Sequence, residues 1–214
     1  MSNPDEASTR AAYDMVAPTY ARVFTATEPE QPLDLALIDH FVGLLDRPRR
    51  VLDAGCGAGR MLPYLAARGC RPIGIDLSPQ MVQHAYRNHP GYPVAVATLS
   101  QLPFSDDEFD GVFAWYSIIH TPDHGLDRVL AEMARVTRPG GHMLVAFQVG
   151  HGRRLVGQGF RAYGLDVEMH RYHRSTVEVA HRLRAVGLEV VANMQRQPVG
   201  SEADPQAVVV ARRA

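Results

Sequence analysis

The chain contains no lysine: all 22 of its Lys+Arg residues are arginine. That absence excludes a phosphate-loop lysine, a Schiff-base lysine and a lysine general base. Cysteine is nearly missing too. Cys56 and Cys70 are too far apart for a CxxC pair and too few for a disulfide framework or a zinc site. They read as small packing residues of a protein in a reducing cytoplasm. No apolar run approaches the ~18 residues of a membrane span. The opening MSNPDEASTR is polar and acidic, without a secretory pattern. Neither sign of charge is in excess, since 22 basic against 23 acidic residues leave a formal net charge of -1. That balance disfavours a dedicated nucleic-acid or membrane-surface protein. The 214 residues, 46% of them hydrophobic, suit one cytoplasmic domain with a full core.

What is present is alternation. Short apolar runs at Val51–Ala54, Pro72–Leu77, Val94–Leu99, Gly111–Ser117 and His142–Val149 are separated by stretches of helical period, such as Leu126, Val129, Leu130 and Met133. Ser78–Pro79 reads as a helix cap followed by proline at the first helical position, and Pro139–Gly140–Gly141 as a helix stop. Strands alternating with helices predict an open parallel α/β sheet covered on both faces. Two helices, Pro4–Val16 and Leu33–Leu45, precede it. A helix over Ser175–Val186 and strands over Leu188–Arg196 and Gln206–Arg212 follow, the last two paired antiparallel. The expected organisation is a single domain. Residues 1–48 form amino-terminal helices and a lid, 49–149 a cofactor-binding core, 150–174 a substrate lid, and 175–214 a helix and hairpin. Residues 151–184 carry seven arginines and four histidines against three acids, either a solvated surface or an irregular mobile cover.

The run Val51-Leu52-Asp53-Ala54-Gly55-Cys56-Gly57-Ala58-Gly59-Arg60 follows a strand and opens a helix near Arg60, the setting of a nucleotide-type loop. Its glycines read GxGxG, one residue shorter than the GxGxxG of a dinucleotide site. Asp53, two residues before them, repels a pyrophosphate but accepts a hydrogen bond from an ammonium group. Both points disfavour a nicotinamide oxidoreductase. Asp76 ends the next strand, where a carboxylate can accept both hydroxyls of a ribose, while Ser78 supplies the helix cap.

At these residues the sequence resembles the class I S-adenosylmethionine-dependent methyltransferases, most closely small-molecule enzymes of high-GC bacteria. VLDAGCGAGR, GIDLSPQMV, LPFSDDEFDGVFAWYSIIH and RPGGHMLVAF resemble successive family segments in order. The resemblance implies a Rossmann-like sheet of seven strands, mostly parallel, with an antiparallel last strand. It also implies S-adenosyl-L-methionine as cofactor, released as S-adenosyl-L-homocysteine. By position, Gly55, Gly57 and Arg60 would serve the methionine portion, with Asp53 near its amino group. Asp76 would hold the ribose, and Leu77, Met81 and the Leu99 backbone the adenine. One position departs. Where the family commonly has an acid for the adenine amine, this chain has Thr98.

The expected reaction is in-line transfer of an activated methyl group to O, N or C of a small molecule. His120, after the fourth strand, is the candidate general base, against a plain packing role. Trp115 belongs either to the cofactor's methionine end or to the core. Tyr116, Ile119 and Gln148 sit at the carboxyl edge of the sheet as acceptor-binding candidates. Arg171 could pair with an anionic group, and Tyr172 could stack on an aromatic acceptor or cover the core. Tyr13 and Tyr20 either close over the cofactor or anchor the first helix. His170 and His173 have no third ligand at metal-site spacing, so no metal is expected. Alternatives are an RNA or protein methyltransferase, or a relative that keeps the pocket for a reaction other than methyl transfer. Nothing in the sequence sets an oligomeric state.

Overall fold

The computed structural model describes residues 4–214, so the reading of the opening residues as lacking a secretory pattern lies in part, at Met1–Asn3, outside the described residues. Seven strands form one sheet. In chain order they are β1 (Arg50–Ala54), β2 (Arg71–Asp76), β3 (Val94–Val96), β4 (Phe109–Trp115), β5 (Thr137–Gln148), β8 (Leu188–Arg196) and β9 (Gln206–Arg213). Their spatial order is β3-β2-β1-β4-β5-β9-β8. The pairs from β3 to β5 are parallel, and β9 runs antiparallel to both neighbours. Order and direction agree with the seven-stranded, mostly parallel sheet that the resemblance implies. Among the described residues no helix is long and apolar enough to cross a membrane.

Period-two patterning explains why the sheet is covered on both sides. Leu52, Val112, Ala114, Val145 and Val209 point to a core completed by α5 (Asp123–Val136) and α6 (Thr176–Ala185), through Leu126, Leu130, Met133, Val179 and Leu183. Their sequence neighbours Val51, Phe113, Leu144 and Val208 point the other way, onto Ile38 and Phe41 of α2 (Pro32–Leu44) and Leu65 of α3 (Leu62–Ala67). A third cluster joins Val16 and Ala17 of α1 (Pro4–Val23) to Met81 of α4 (Pro79–Asn88) and to Val167 and Met169. The first helix therefore bridges α4 and the segment around Val167 and Met169.

Three boundaries differ from those read in the sequence. α1 continues through Pro18 to Val23, because packing of Ala21 in the third cluster outweighs the lost helical hydrogen bond. β5 starts at Thr137, ahead of Pro139–Gly140–Gly141. Thr137 is already paired with Phe109, and the glycine turn (Gly140 φ 75°) becomes a register shift within the strand. Residues 150–174 are not irregular. They fold into an antiparallel arm of β6 (Arg153–Val156) and β7 (Met169–Tyr172), joined by a 3-10 segment at Gln158–Tyr163. An arginine-rich strand exposed over most of its length has no hydrophobic alternation to announce it.

Candidate active site

The carboxyl ends of β1, β2, β4 and β5 open into a cleft of about 910 Å³, lined also by Glu6, Tyr13 and Tyr20 of α1 and by Arg171 of the β6–β7 arm. The turn after β1 forms one wall. Gly55, Gly57 and Gly59 have φ of 91°, 54° and 83°, in the left-handed region that glycine alone enters at little cost. A Cβ at Gly55 would collide with the Cβ of Ser117, so glycine at this position is what lets the turns after β1 and β4 pack against each other. The helix expected near Arg60 begins at Leu62 and has six residues. Its dipole is correspondingly small, leaving the turn's own amides as the main local donors.

Asp76 ties this turn to the next one. One carboxylate oxygen accepts the Gly57 N–H at 2.8 Å and the other accepts the Ser78 N–H at 2.9 Å. Ser78 caps α4 by accepting from Met81 N, and its hydroxyl donates to Asp14 of α1 at 2.6 Å. Burial pushes the Asp76 carboxyl upward, against the pull of those backbone donors. Leu77 and the fully buried Met81 line the same end of the cleft.

Asp53 lies behind the turn, 2% exposed and not in the cleft wall. One of its oxygens is buried without a hydrogen-bond partner, and desolvation raises its pKa to about 7, opposed by Arg60 and reinforced by Asp76. Arg60 does line the cleft. It is held by both oxygens of Glu30, at 2.7 and 2.8 Å, and Glu30 also accepts the Trp115 indole N–H at 2.9 Å. Tyr20 packs its ring 3.6 Å from where a Gly57 Cβ would stand, and stacks at a tilt on Phe24. At the β3 end, Thr98 donates to Glu6 of α1 at 2.7 Å, and Ser100 donates to the same oxygen at 2.7 Å. Leu99, between them, lines the cleft.

The turn after β4 forms the opposite wall. Tyr116 has φ 56°, a strained conformation for a non-glycine residue and one often stored at functional sites. The Ser117 hydroxyl is buried without a partner. A 3-10 turn, Ile118–His120, follows, with Ile119 lining the cleft. The Nδ1 of His120 is 2.7 Å from the carbonyl of His170, and its Nε2 is 2.8 Å from the Tyr13 hydroxyl. A carbonyl only accepts, so Nδ1 carries the proton, and the bare Nε2 takes the hydrogen of Tyr13. Burial lowers the His120 pKa to about 4, which keeps the ring neutral at physiological pH. The lone pair proposed as a base is thus occupied by a tyrosine.

The remaining candidates divide. Gln148, at the end of β5, lines the cleft with a buried carbonyl oxygen that has no partner. Arg171 lines it as well; its Nε is buried and unpartnered while Nη1 reaches Asp204 at 3.3 Å. Tyr172 is not in the wall, and Arg174 stands 5.6 Å from its ring centroid. His173 is buried against Asp204 at 3.0 Å, and His170 contributes its carbonyl to His120. Sequence reading missed Glu6 and Glu30, which belong to no local motif and reach the cleft only through the tertiary fold, and Ser117, which lies within the AWYSIIH segment between two residues that were singled out. It also missed Arg174, 1% exposed, whose guanidinium donates to the carbonyls of Ile118 and Thr121 and to Asp123, bracing the His120 turn.

The glycine turn, Asp76 and both walls after β4 and β5 are built around residues 51–141, which match the family model described as "Methyltransferase domain". The matched segment covers 91 of the 214 residues. Over 112 residues it and its flank are 37% identical to Methyltransferase GfsG of Streptomyces halstedii, covering 48% of this chain and 39% of that protein. The matched segments span about half or less of the curated relatives, 37% to 52% of their length. Two solved structures have the same fold. The 1,6-didemethyltoxoflavin-N1-methyltransferase of Burkholderia thailandensis, whose structure holds 1,6-didemethyltoxoflavin and S-adenosylhomocysteine, aligns with TM-score 0.76 at 23% identity. It covers all of this chain and 91% of that one. The [4+2]-cyclase SpnF aligns with TM-score 0.73 at 18% identity, covering 100% and 98%. The fold shared with these two structures therefore extends over the whole chain, beyond the segment that the family model matches.

Proposed function

We propose that the protein transfers a methyl group from S-adenosyl-L-methionine to an O, N or C atom of a small-molecule acceptor, in the cytoplasm. The observation that carries this reading is that the open glycine turn, the Asp76 carboxylate and the Tyr13–His120 pair share one cleft. The residues fit the cofactor chemically. The positive-φ backbone of the glycine turn suits close approach of the methionine portion, Asp76 suits a pair of ribose hydroxyls, and Asp53, buried behind the turn, would act on the ammonium through the field of its charge. Arg60, Leu77, Met81, Thr98, Leu99, Trp115 and Tyr20 would complete its enclosure. When bound, the cofactor supplies an already activated methyl group.

The chain's own residues then have three tasks. α1 and the β6–β7 arm cover the cleft and exclude water. Tyr116, Ile119, Gln148 and Arg171 orient the acceptor, with the Gln148 carbonyl and Arg171 Nε free to bond it, so that little motion is left at the reacting atoms. Tyr13 takes the proton of a hydroxyl or amine acceptor while passing its own to His120 Nε2, and the His170 carbonyl steadies the resulting imidazolium through Nδ1–H. Two buried, unpaired cysteines and the absence of lysine support a reducing compartment and a reaction without a lysine base. The test is mass spectrometry of the purified protein for retained S-adenosylhomocysteine, followed by incubation of metabolite extracts with the labelled cofactor. A product heavier by one methylene supports transfer. Retention of the nucleoside without any methylated product would favour a second reading, prompted by the cyclase of like fold, in which the pocket serves another reaction.

A further inference from the structure

We infer that Glu6, a residue of the first helix, is the group that reads the base of the bound nucleoside, recognising an exocyclic amine from across the cleft. The inference rests on the cofactor reading above. Asp76 fixes where a ribose would sit, and Leu77 and Met81 lead from it toward the β3 end of the cleft. At that end the wall is Thr98, Leu99, Ser100 and Glu6. Thr98 and Ser100 donate their hydroxyl hydrogens to Glu6 Oε1, both at 2.7 Å. The two hydroxyls thus aim the carboxylate and cannot themselves supply a strong acceptor. The other acids of the cleft are committed elsewhere: Glu30 to Arg60 and Trp115, Asp34 and Glu202 to Arg196, Asp204 to the β6–β7 arm.

A carboxylate met only by neutral donors is a strong acceptor for an amine N–H. It repels the carbonyl oxygen of a 6-oxo purine, so it discriminates between adenine and hypoxanthine, and a site built this way rejects the wrong base by leaving its acceptor unpaired. Because Glu6 and Tyr13 lie on the same helix, docking of the base also fixes the tyrosine that faces His120.

The experiment is calorimetric titration with S-adenosylhomocysteine and with S-inosylhomocysteine, in which oxygen replaces the amine. The unmodified chain is expected to prefer the adenosyl compound by about tenfold or more. In Glu6→Gln, whose amide can donate to the 6-oxo group, that preference falls to near unity. Thr98→Asp added to Glu6→Gln restores it by returning a carboxylate from the strand side. A preference that Glu6→Gln leaves unchanged overturns the assignment and spares the cofactor reading. Binding of neither compound by the unmodified chain overturns both.

Discussion

Tyr13 and His120, 107 positions apart in sequence, share one hydrogen at 2.8 Å, and the carbonyl of His170 fixes its direction from tyrosine to imidazole. A helix near the start of the chain thereby brings a hydroxyl onto the histidine, and both residues line the cleft. If the two act as one proton acceptor, Tyr13→Phe and His120→Gln each lower kcat on an O–H or N–H acceptor by about 10²-fold, and the double variant loses little more. Steady-state kinetics of the four proteins measure this. Losses that multiply would separate the two residues.

Burial holds His120 at about 4, below its unfolded value of 6.5, so the unfolded chain binds the extra proton first. Its contribution to stability is present at neutral pH and is lost as pH falls from 6.5 toward 4. His120→Gln is expected to flatten this loss by on the order of 1 kcal/mol between pH 7 and 5. Urea unfolding at a series of pH values provides the measurement.

Asp53 behaves in the opposite sense. Its folded value of about 7 lies above the ordinary 3.8, so ionising it lowers the stability of the unliganded protein as pH rises through that range. An ammonium group beside it would favour the ionised form. Binding of S-adenosylhomocysteine should therefore release a proton near pH 6.5 and weaken as pH falls below 7. Titrations in buffers of different ionisation enthalpy detect that proton, and Asp53→Asn should abolish it while weakening binding about tenfold.

Asp76 already holds two backbone N–H groups, one on each oxygen. Asp76→Asn should cost about 2 kcal/mol of nucleoside affinity, since an amide replaces one acceptor with a donor facing a ribose hydroxyl. Affinity by calorimetry that is equal in the two proteins would remove Asp76 from the site.

Arg174 is enclosed between the β6–β7 arm and the His120 turn. Arg174→Met would strand the carbonyls of Ile118 and Thr121 and is expected to destabilise the fold by about 3 kcal/mol. Arg174→Lys keeps the charge but cannot span both carbonyls and Asp123. It should lower kcat far more than nucleoside affinity. Equal losses in both would make Arg174 a stability residue only.

The sheet and the glycine-turn side of the cleft were legible because their signals are local. GxGxG sits between a strand and a helix, Asp76 at a strand end, and Ser78–Pro79 where a helix starts; each can be read within ten residues. The acceptor end was not. Glu30 enters from a loop between two helices, and Arg174 from an arm whose exposed strand faces carry arginine instead of alternating apolar residues. His120 could be found as a histidine in the right turn. That its base nitrogen is already taken could not, since the partner lies in a helix whose sequence ties it to no particular surface.

The position of β9 has a consequence for how the molecule comes into being. Of the seven strands of the sheet, β9 comes last in sequence, yet it is wedged between β5 and β8, not laid on the rim. Until it emerges, β5 presents a bare edge and β8 has no neighbour to join. The nascent chain must wait with two of its seven strands unplaced, a period in which a holding chaperone would be of most use.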